Sequence, residues 1–273
     1  MENLIININS KFADLTKYTS SNFVYHLNQE IKNIAYIKLG SIEFPGTDYN
    51  FLDKKKNISF TIGDSTFQDT VTLEEGNYTS DTIIASIQDF LDAINTNRSK
   101  NYGIDININK GKIFFTSDDS MQINFSNNDV GYGSLGAHLG FNSNEYTGTT
   151  ITADDVINLN SPLYYFLKIN NIDNIIDSRV TNAFAKIIQT SGKYDFTIEG
   201  KGDYVSKEKV FRSPINLSKL EIQIVDHMNN VIDLNGYNVT LTLEIGYIYD
   251  KKLYENINNK GIPNGDNRLK YYF

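Results

Sequence analysis

The stretch Val-Thr-Leu-Thr-Leu-Glu-Ile-Gly-Tyr at positions 239–247 decides the fold class. Apolar side chains alternate here with polar or small ones, and a period of two predicts a β-strand with one buried side. Residues 219–224 alternate in the same way. The segment between the two runs is rich in Asp, Asn and Gly, which favour turns. We therefore expect these two strands to pair as an antiparallel hairpin with a broad loop.

Other segments extend the same pattern along the chain. Residues 103–109 and 112–116 alternate on either side of Asn109-Lys110-Gly111, which predicts a second hairpin. Residues 163–169 are apolar on both faces, as in a central strand that is covered on both sides. The apolar phase of residues 34–44 changes at Gly40-Ser41. A glycine at such a change indicates a bulge, or a strand that passes from one sheet to another.

One segment, Ser80–Asn95, has helical periodicity. Its apolar residues recur every three or four positions, and Thr79 or Ser80 is a suitable N-cap. A single helix among many short strands predicts a mainly β protein, an antiparallel β-sandwich or barrel. The helix and the hairpins up to Phe125 are interpreted as a lobe inserted between strands of the larger sandwich.

Composition excludes several classes of protein. The 273 residues include no Cys, which excludes disulfide scaffolds, thiolate metal sites and cysteine nucleophiles. The net charge of −8 argues against direct contact with nucleic acid. The run Lys54–Lys56 is the one small basic patch, and it is interpreted as a solvated hairpin tip. The chain shows no signal peptide and no apolar run of membrane-spanning length, so we expect cytosolic synthesis and no membrane span.

The three histidines, His26, His138 and His227, lack any metal-binding spacing. The segment Asp105–Thr116 begins like a calcium loop but has Lys at position 6 and Thr at position 12, so a strand and turn are expected.

Three acidic pairs lie in turn-like contexts, where we expect them to be solvated: Glu74-Glu75, Asp118-Asp119 and Asp154-Asp155. Residues 131–136 match a Gly-x-Gly-x-x-Gly motif in letters alone, and a flexible turn is the preferred interpretation. The sequence thus predicts no enzyme, no catalytic, cofactor-binding or metal site, and no cofactor.

The order of several short motifs resembles a known family over residues 5–248. The motifs are Ile8–Lys11, Phe23–Leu27, Ile31–Ile34, Ile37–Pro45, Leu73–Tyr78, Leu139–Phe141, Ser161–Tyr164 and Leu217–Leu220. This order resembles the single jelly-roll penton and minor capsid proteins of large double-stranded DNA viruses and virophages. The tail after Tyr249 has no counterpart in this resemblance.

The resemblance implies a jelly-roll capsid domain over residues 1–249 with an insertion at about 65–150, and a C-terminal arm at 250–273. It implies a structural role as a homopentamer at the icosahedral vertex, in contact with the major capsid protein and other minor capsid proteins. Such a protein is assembled in the host cytoplasm and located in the virion capsid. The alternatives are a minor capsid protein that cements capsomers, and a carbohydrate-binding fibre or receptor-binding β-sandwich. The arm is either a frayed terminus or an anchor into a neighbour.

Overall fold

The computed structural model describes residues 2–14, 17–125, 132–160, 162–199 and 207–249. Within these ranges the protein is mainly β and its strand pairs are antiparallel. The strands are β1 Glu2–Asn9, β2 Asn22–Pro45, β3 Ser59–Gly63, β4 Gln68–Thr72, β5 Gly103–Asn107, β6 Lys112–Asn124, β7 Glu145–Thr152, β8 Tyr164–Ile169, β9 Ala185–Ile188, β10 Phe196–Glu199, β11 Glu208–Val225 and β12 Thr240–Tyr247. The helices are α1 Ser80–Arg98 and α2 Leu135–Leu139.

The chain folds into two compact units. Unit 1 comprises Met1–Asp48 and Pro162–Phe273, and unit 2 comprises Tyr49–Ser161. The sheet of unit 1 has the order β1-β12-β2-β11-β8-β9, with β10 paired to β2. The sheet of unit 2 has the order β4-β3-β6-β5, with β7 paired to β6. The segment 65–150, which the sequence predicts to be an insertion, lies entirely within unit 2.

The sheet of unit 1 curls around its own core. Ile8 on β1 and Ile187 on β9 stand at opposite ends of the strand order, yet both belong to one buried cluster. A flat sheet does not bring its two ends onto one core, so the sheet adopts a half-barrel shape. The expectation of a mainly β, antiparallel sandwich is confirmed.

The expected hairpin between residues 219–224 and 239–247 is wrong. β11 and β12 both flank β2, with Ile222 opposite Phe23 and Leu241 opposite Ile42. The 24-residue β2 is long enough to offer one edge to each of them. Both strands are antiparallel to β2, so the connection from 226 to 239 leads from the start of β2, where Gln223 faces Asn22, to its end, where Thr240 faces Glu43. It is far longer than a tight hairpin loop.

The other strand predictions are confirmed. β5 and β6 form the expected hairpin, and β8 lies between β11 and β9. One face of β8 packs in the main core, while Phe166 on the other face packs in a second cluster. Leu163 precedes the strand and is 68% exposed. At Gly40 the pairing of β2 with β12 changes register, so the phase change is a bulge within one sheet.

The predicted helix is confirmed as α1, three residues longer than expected at its C-terminal end. Thr79 is the N-cap and forms a capping box with Thr82. The apolar stripe of Ile83, Ile87, Leu91 and Ile94 is buried in the core of unit 2. The helix therefore covers the sheet of that unit with one face and leaves the opposite face to solvent.

Candidate interaction surfaces

The three histidines belong to different elements of the fold. His26 is exposed on β2, His227 lies in the turn after β11, and His138 belongs to α2 of the other unit. Within the described ranges, no group of three His, Asp or Glu side chains is placed to hold a metal ion. The same ranges contain no helix that is long and apolar enough to cross a membrane.

Members of the paired acids accept hydrogen bonds within turns. The backbone N–H of Asn142 donates to Asp154 at 3.0 Å, and the Tyr146 hydroxyl donates to the same carboxylate. The Tyr146 hydrogen bond is the main cause that lowers the pKa of Asp154. Glu75 likewise accepts from the backbone N–H of Asp53 at 2.9 Å. Glu75 and Asp154 thus accept hydrogen bonds from donors in other segments of unit 2.

The interpretation of Lys54–Lys56 as a solvated tip is wrong for its central residue. Asp53–Lys55 form a short 3-10 helix, and this turn directs Lys55 inward, where it is 7% exposed. The Lys55 ammonium donates to the backbone oxygens of Tyr49 at 2.7 Å and Asn50 at 3.3 Å. A lysine is buried only where such acceptors replace its water.

The buried Asn57 and the half-buried His138 complete a polar cluster in unit 2. The Asn57 amide nitrogen lies 3.0 Å from the oxygen of Asn50 and 3.4 Å from His138 Nε2. His138 Nδ1 lies 3.0 Å from the backbone oxygen of Asn158, and this oxygen accepts a hydrogen bond from Nδ1 when that nitrogen carries the proton. Burial lowers the pKa of His138. Asn50 in turn donates to the backbone oxygen of Leu159, so the cluster ties together both ends of the unit's chain.

The Gly-x-Gly-x-x-Gly segment continues as a helix where a flexible turn was expected. Ser134 caps α2 and Gly136 lies inside it. A Cβ added to Gly136 would lie 2.3 Å from Cγ of Phe125, so the glycine is required by close packing. Gly131 lies outside the described residues.

A second buried polar cluster lies in unit 1, around Asp48. The Tyr165 hydroxyl lies 2.9 Å from each carboxylate oxygen of Asp48, and the Lys193 ammonium lies 3.2 Å from Oδ1. Lys193 also donates to the Asp48 backbone oxygen at 2.8 Å. Burial and the Asp48 carboxylate together raise the pKa of Tyr165 far above its ordinary value. The phenol therefore stays neutral and acts as a hydrogen-bond donor.

A group of exposed aromatic and aliphatic side chains lies around β10 in unit 1. Phe196 and Ile198 point outward from this strand and are 45% and 72% exposed. The ring of Tyr237 lies 6.1 Å from that of Phe196, and Tyr194 just before the strand is 64% exposed. Between them Thr197 is buried and accepts the N–H of Thr190, which holds the strand in place. We call the four exposed residues Tyr194, Phe196, Ile198 and Tyr237 the β10 patch.

A groove of about 300 Å³ runs between β1 and the first half of β2. It is lined by Leu4, Ile5, Ile6, Asn7, Tyr25, Leu27, Asn28, Gln29 and Ile31. Six of these side chains are apolar or aromatic and none is charged. We call this the β1–β2 groove.

A groove of different character lies on the sheet of unit 2. It has a volume of about 430 Å³ and is lined by Thr61, Asp64, Ser65, Gln68, Gln122, Ile123, Asn124, Glu145, Tyr146 and Thr147. Amide, hydroxyl and carboxylate groups predominate. We call this the polar groove.

Sequence reasoning predicted no site residues and did not find these surfaces. Phe196 and Ile198 flank a threonine in a period of two, and this alternation was the one signal of a strand that exposes apolar side chains. The grooves depend on residues far apart in the chain, such as Leu4 and Leu27, and left no local signal. The arm at 250–273 lies outside the described residues.

Comparison with known proteins supports the fold. No protein-family model matches the chain, and no curated protein matches its sequence. Among solved structures, the chain is similar to the crystal structure of the mavirus penton protein, with a TM-score of 0.51 and 10% sequence identity. The match covers 90% of this chain and 100% of the mavirus chain. At this identity the likeness shows a shared penton-like jelly-roll fold.

Proposed function

We propose that this chain is a structural capsid protein of the penton type, which assembles as a ring at the fivefold vertex of an icosahedral particle. The observation that carries the proposal is the extent of the fold match. A match over 90% of the chain must include most of unit 2 as well as unit 1, because Tyr49–Ser161 is far more than a tenth of the sequence. The likeness thus extends beyond the β-sandwich, an architecture that many unrelated functions share.

The β10 patch supports the proposal by supplying a surface suited to protein contact. Aromatic and large aliphatic side chains are enriched in the buried centres of interfaces. Monomeric proteins seldom expose several such side chains together unless the patch is functional. We therefore place one side of the subunit contact on Phe196, Ile198 and Tyr237.

The experiment measures the mass of the purified full-length protein by native mass spectrometry and light scattering. We expect a species of five times 31.0 kDa and fivefold rings by electron microscopy. Ile198→Asp should convert this species to monomer without a loss of thermal stability, because the side chain is largely exposed. Ile108→Asp, at an exposed turn of unit 2, is the matched control and should leave the ring intact. A stable monomer that is absent from purified particles would contradict the proposal.

The alternative of a minor capsid protein predicts a position between capsomers instead of at the vertex. Localisation in a particle map distinguishes the two.

A carbohydrate-binding role is favoured by one observation, the polar groove. Its amides and carboxylates can hydrogen-bond sugar hydroxyls, and a neutral polar ligand suits this lining. Binding of the isolated protein to a glycan array, abolished by Gln122→Ala, would support this second function. Absence of binding across the array would remove it.

A further inference from the structure

A polar pocket of about 320 Å³ lies on unit 1, over the start of β2, the end of β8 and the adjoining part of β11. Gln223 of β11 is in the middle of its floor, because it faces Asn22 of β2 on one side and Lys168 of β8 on the other. The neighbouring Ile222 points into the main core, so these three side chains lie on the opposite, outer face of the sheet. We call this the amide pocket.

The loop between β8 and β9 forms one wall of the amide pocket. Asn170 begins it with a φ of +49°, in the left-handed region that Asn adopts more readily than most residues. Its side-chain oxygen accepts the backbone N–H of Glu221 at 2.6 Å, and its own N–H donates to the Glu221 backbone oxygen at 2.8 Å. At the other end of the loop, Asn182 Nδ2 lies 3.4 Å from Asn171 Oδ1. The wall is thus held in place by hydrogen bonds of the protein itself.

Four amide groups of the pocket have no hydrogen-bond partner among the residues that the structure describes. The Asn22 oxygen accepts from Gln223 at 3.1 Å, which leaves the Asn22 nitrogen and the Gln223 oxygen unused. The pair of Asn182 and Asn171 likewise leaves one oxygen and one nitrogen. The pocket therefore offers two donors and two acceptors. A hydroxyl group both donates and accepts, so a molecule with several neighbouring hydroxyls can use all four.

The charged residues of the pocket balance each other. Lys168 and Glu221 carry opposite charges, and each has a local partner. The Lys168 ammonium donates to Asn229 at 3.1 Å, and the Glu221 carboxylate lies 2.5 Å from the Lys219 ammonium. A charged molecule would therefore meet no net opposite charge. The half-buried Tyr18 adds an aromatic side chain against which the C–H groups of a sugar ring can pack.

We propose that the amide pocket binds a neutral saccharide, either a free sugar or the terminal residue of a glycan. Ligand pockets measure about 300–1,000 Å³, and the amide pocket lies at the lower end of this range, which suits a single sugar ring. The site is separate from the polar groove, which belongs to unit 2. The inference does not depend on the proposed ring, since sugar binding and subunit mass are measured independently.

Saturation-transfer difference NMR on the full-length protein tests the proposal with four separate probes: galactose, glucose, mannose and N-acetylglucosamine. We expect at least one of them to bind. Asn171→Ala and Gln223→Ala each remove an amide from the pocket and should weaken that binding about two- to tenfold, the effect of one lost hydrogen bond. Asn171 is exposed, so this variant should keep the thermal stability of the parent chain. The matched control is Gln122→Ala, an exposed amide of the polar groove, which should leave the binding unchanged.

The charge of the probe gives a second comparison. Galacturonate and glucuronate carry a carboxylate where galactose and glucose carry a hydroxymethyl group, and they should bind no more tightly than the neutral sugars. Methyl glycosides distinguish the two sources of the sugar, because the terminal residue of a glycan has a substituted anomeric carbon and a free sugar does not.

Three results would overturn the proposal. The first is that none of the four neutral sugars binds. The second is equal binding by the parent chain and both pocket variants, or a loss of binding in Gln122→Ala alone. The third is tighter binding of the acidic sugars than of their neutral counterparts.

Discussion

The hydroxyl of Tyr165 should contribute a measurable share of the stability of unit 1. It donates to a carboxylate at 2.9 Å, and Asp48 is 5% exposed. A hydrogen bond to a charged group contributes about 1.5–3 kcal/mol, and removal of the donor leaves the buried acceptor with less compensation. Lys193 stays within 3.2 Å of the same carboxylate, so the charge is not left wholly unpaired. We expect Tyr165→Phe to lower the free energy of unfolding by about 2 kcal/mol.

Tyr247→Phe is the matched control. Its hydroxyl donates to Glu2 at 2.6 Å in an exposed position, where solvent replaces the lost bond. This variant should cost less than about 0.5 kcal/mol. For a protein of this size, 2 kcal/mol corresponds to a fall of about 4–8 °C in melting temperature.

The measurement must separate the two units, because independent units need not unfold in one transition. Native-state hydrogen exchange resolves them: Tyr165→Phe should raise exchange in β8 and leave α1 unchanged. The cost should be constant across the neutral pH range, because burial and Asp48 keep the pKa of Tyr165 far above it. A cost no larger than that of Tyr247→Phe would refute the reasoning that this bond stabilises the buried carboxylate.

Two further predictions concern unit 2. Gly136→Ala should destabilise it by about 1–3 kcal/mol, because the new Cβ would lie 2.3 Å from the Phe125 ring. The control Gly76→Ala, in the same unit and with open space around it, should be close to neutral in thermal unfolding. His138 has a pKa lowered by burial, so the unfolded chain binds the proton more readily than the folded one. The stability of unit 2 should therefore be complete above about pH 6.5 and fall as the pH is lowered through that value, and His138→Gln should flatten this profile in melts between about pH 5 and 7. An unchanged profile in His138→Gln would assign the pH dependence to other groups.

Periodicity predicted the faces of the elements well because burial acts on each residue separately. The buried stripe of α1 and the two covered sides of β8 follow from which positions are apolar. The same alternation does not identify the partner of a strand. β11 and β12 both alternate with a period of two. Each pairs with β2 and not with the other, and nothing within either segment predicts this choice of partner.

Buried polar residues were missed for a related reason. In the sequence, Lys55 cannot be distinguished from its exposed neighbours Lys54 and Lys56. Its burial depends on the 3-10 turn, which brings its ammonium group within reach of the backbone oxygens of Tyr49 and Asn50. Asp48 and Tyr165 are 117 positions apart. A sequence read segment by segment contains no information on such a pair, so buried polar networks emerge only after the chain is folded.

The β10 patch and the β1–β2 groove call for different kinds of partner. The patch presents outward side chains, among them Phe196 and Tyr237, and so requires a complementary side-chain surface. The groove has an uncharged and mainly apolar lining, and so favours an apolar occupant. A closed ring of identical subunits joins two different surfaces of each chain, since a heterologous contact is not self-complementary. In the proposed ring, the β10 patch therefore contacts a different surface of the neighbouring subunit, and suppressor substitutions that restore the ring of Ile198→Asp would identify that surface.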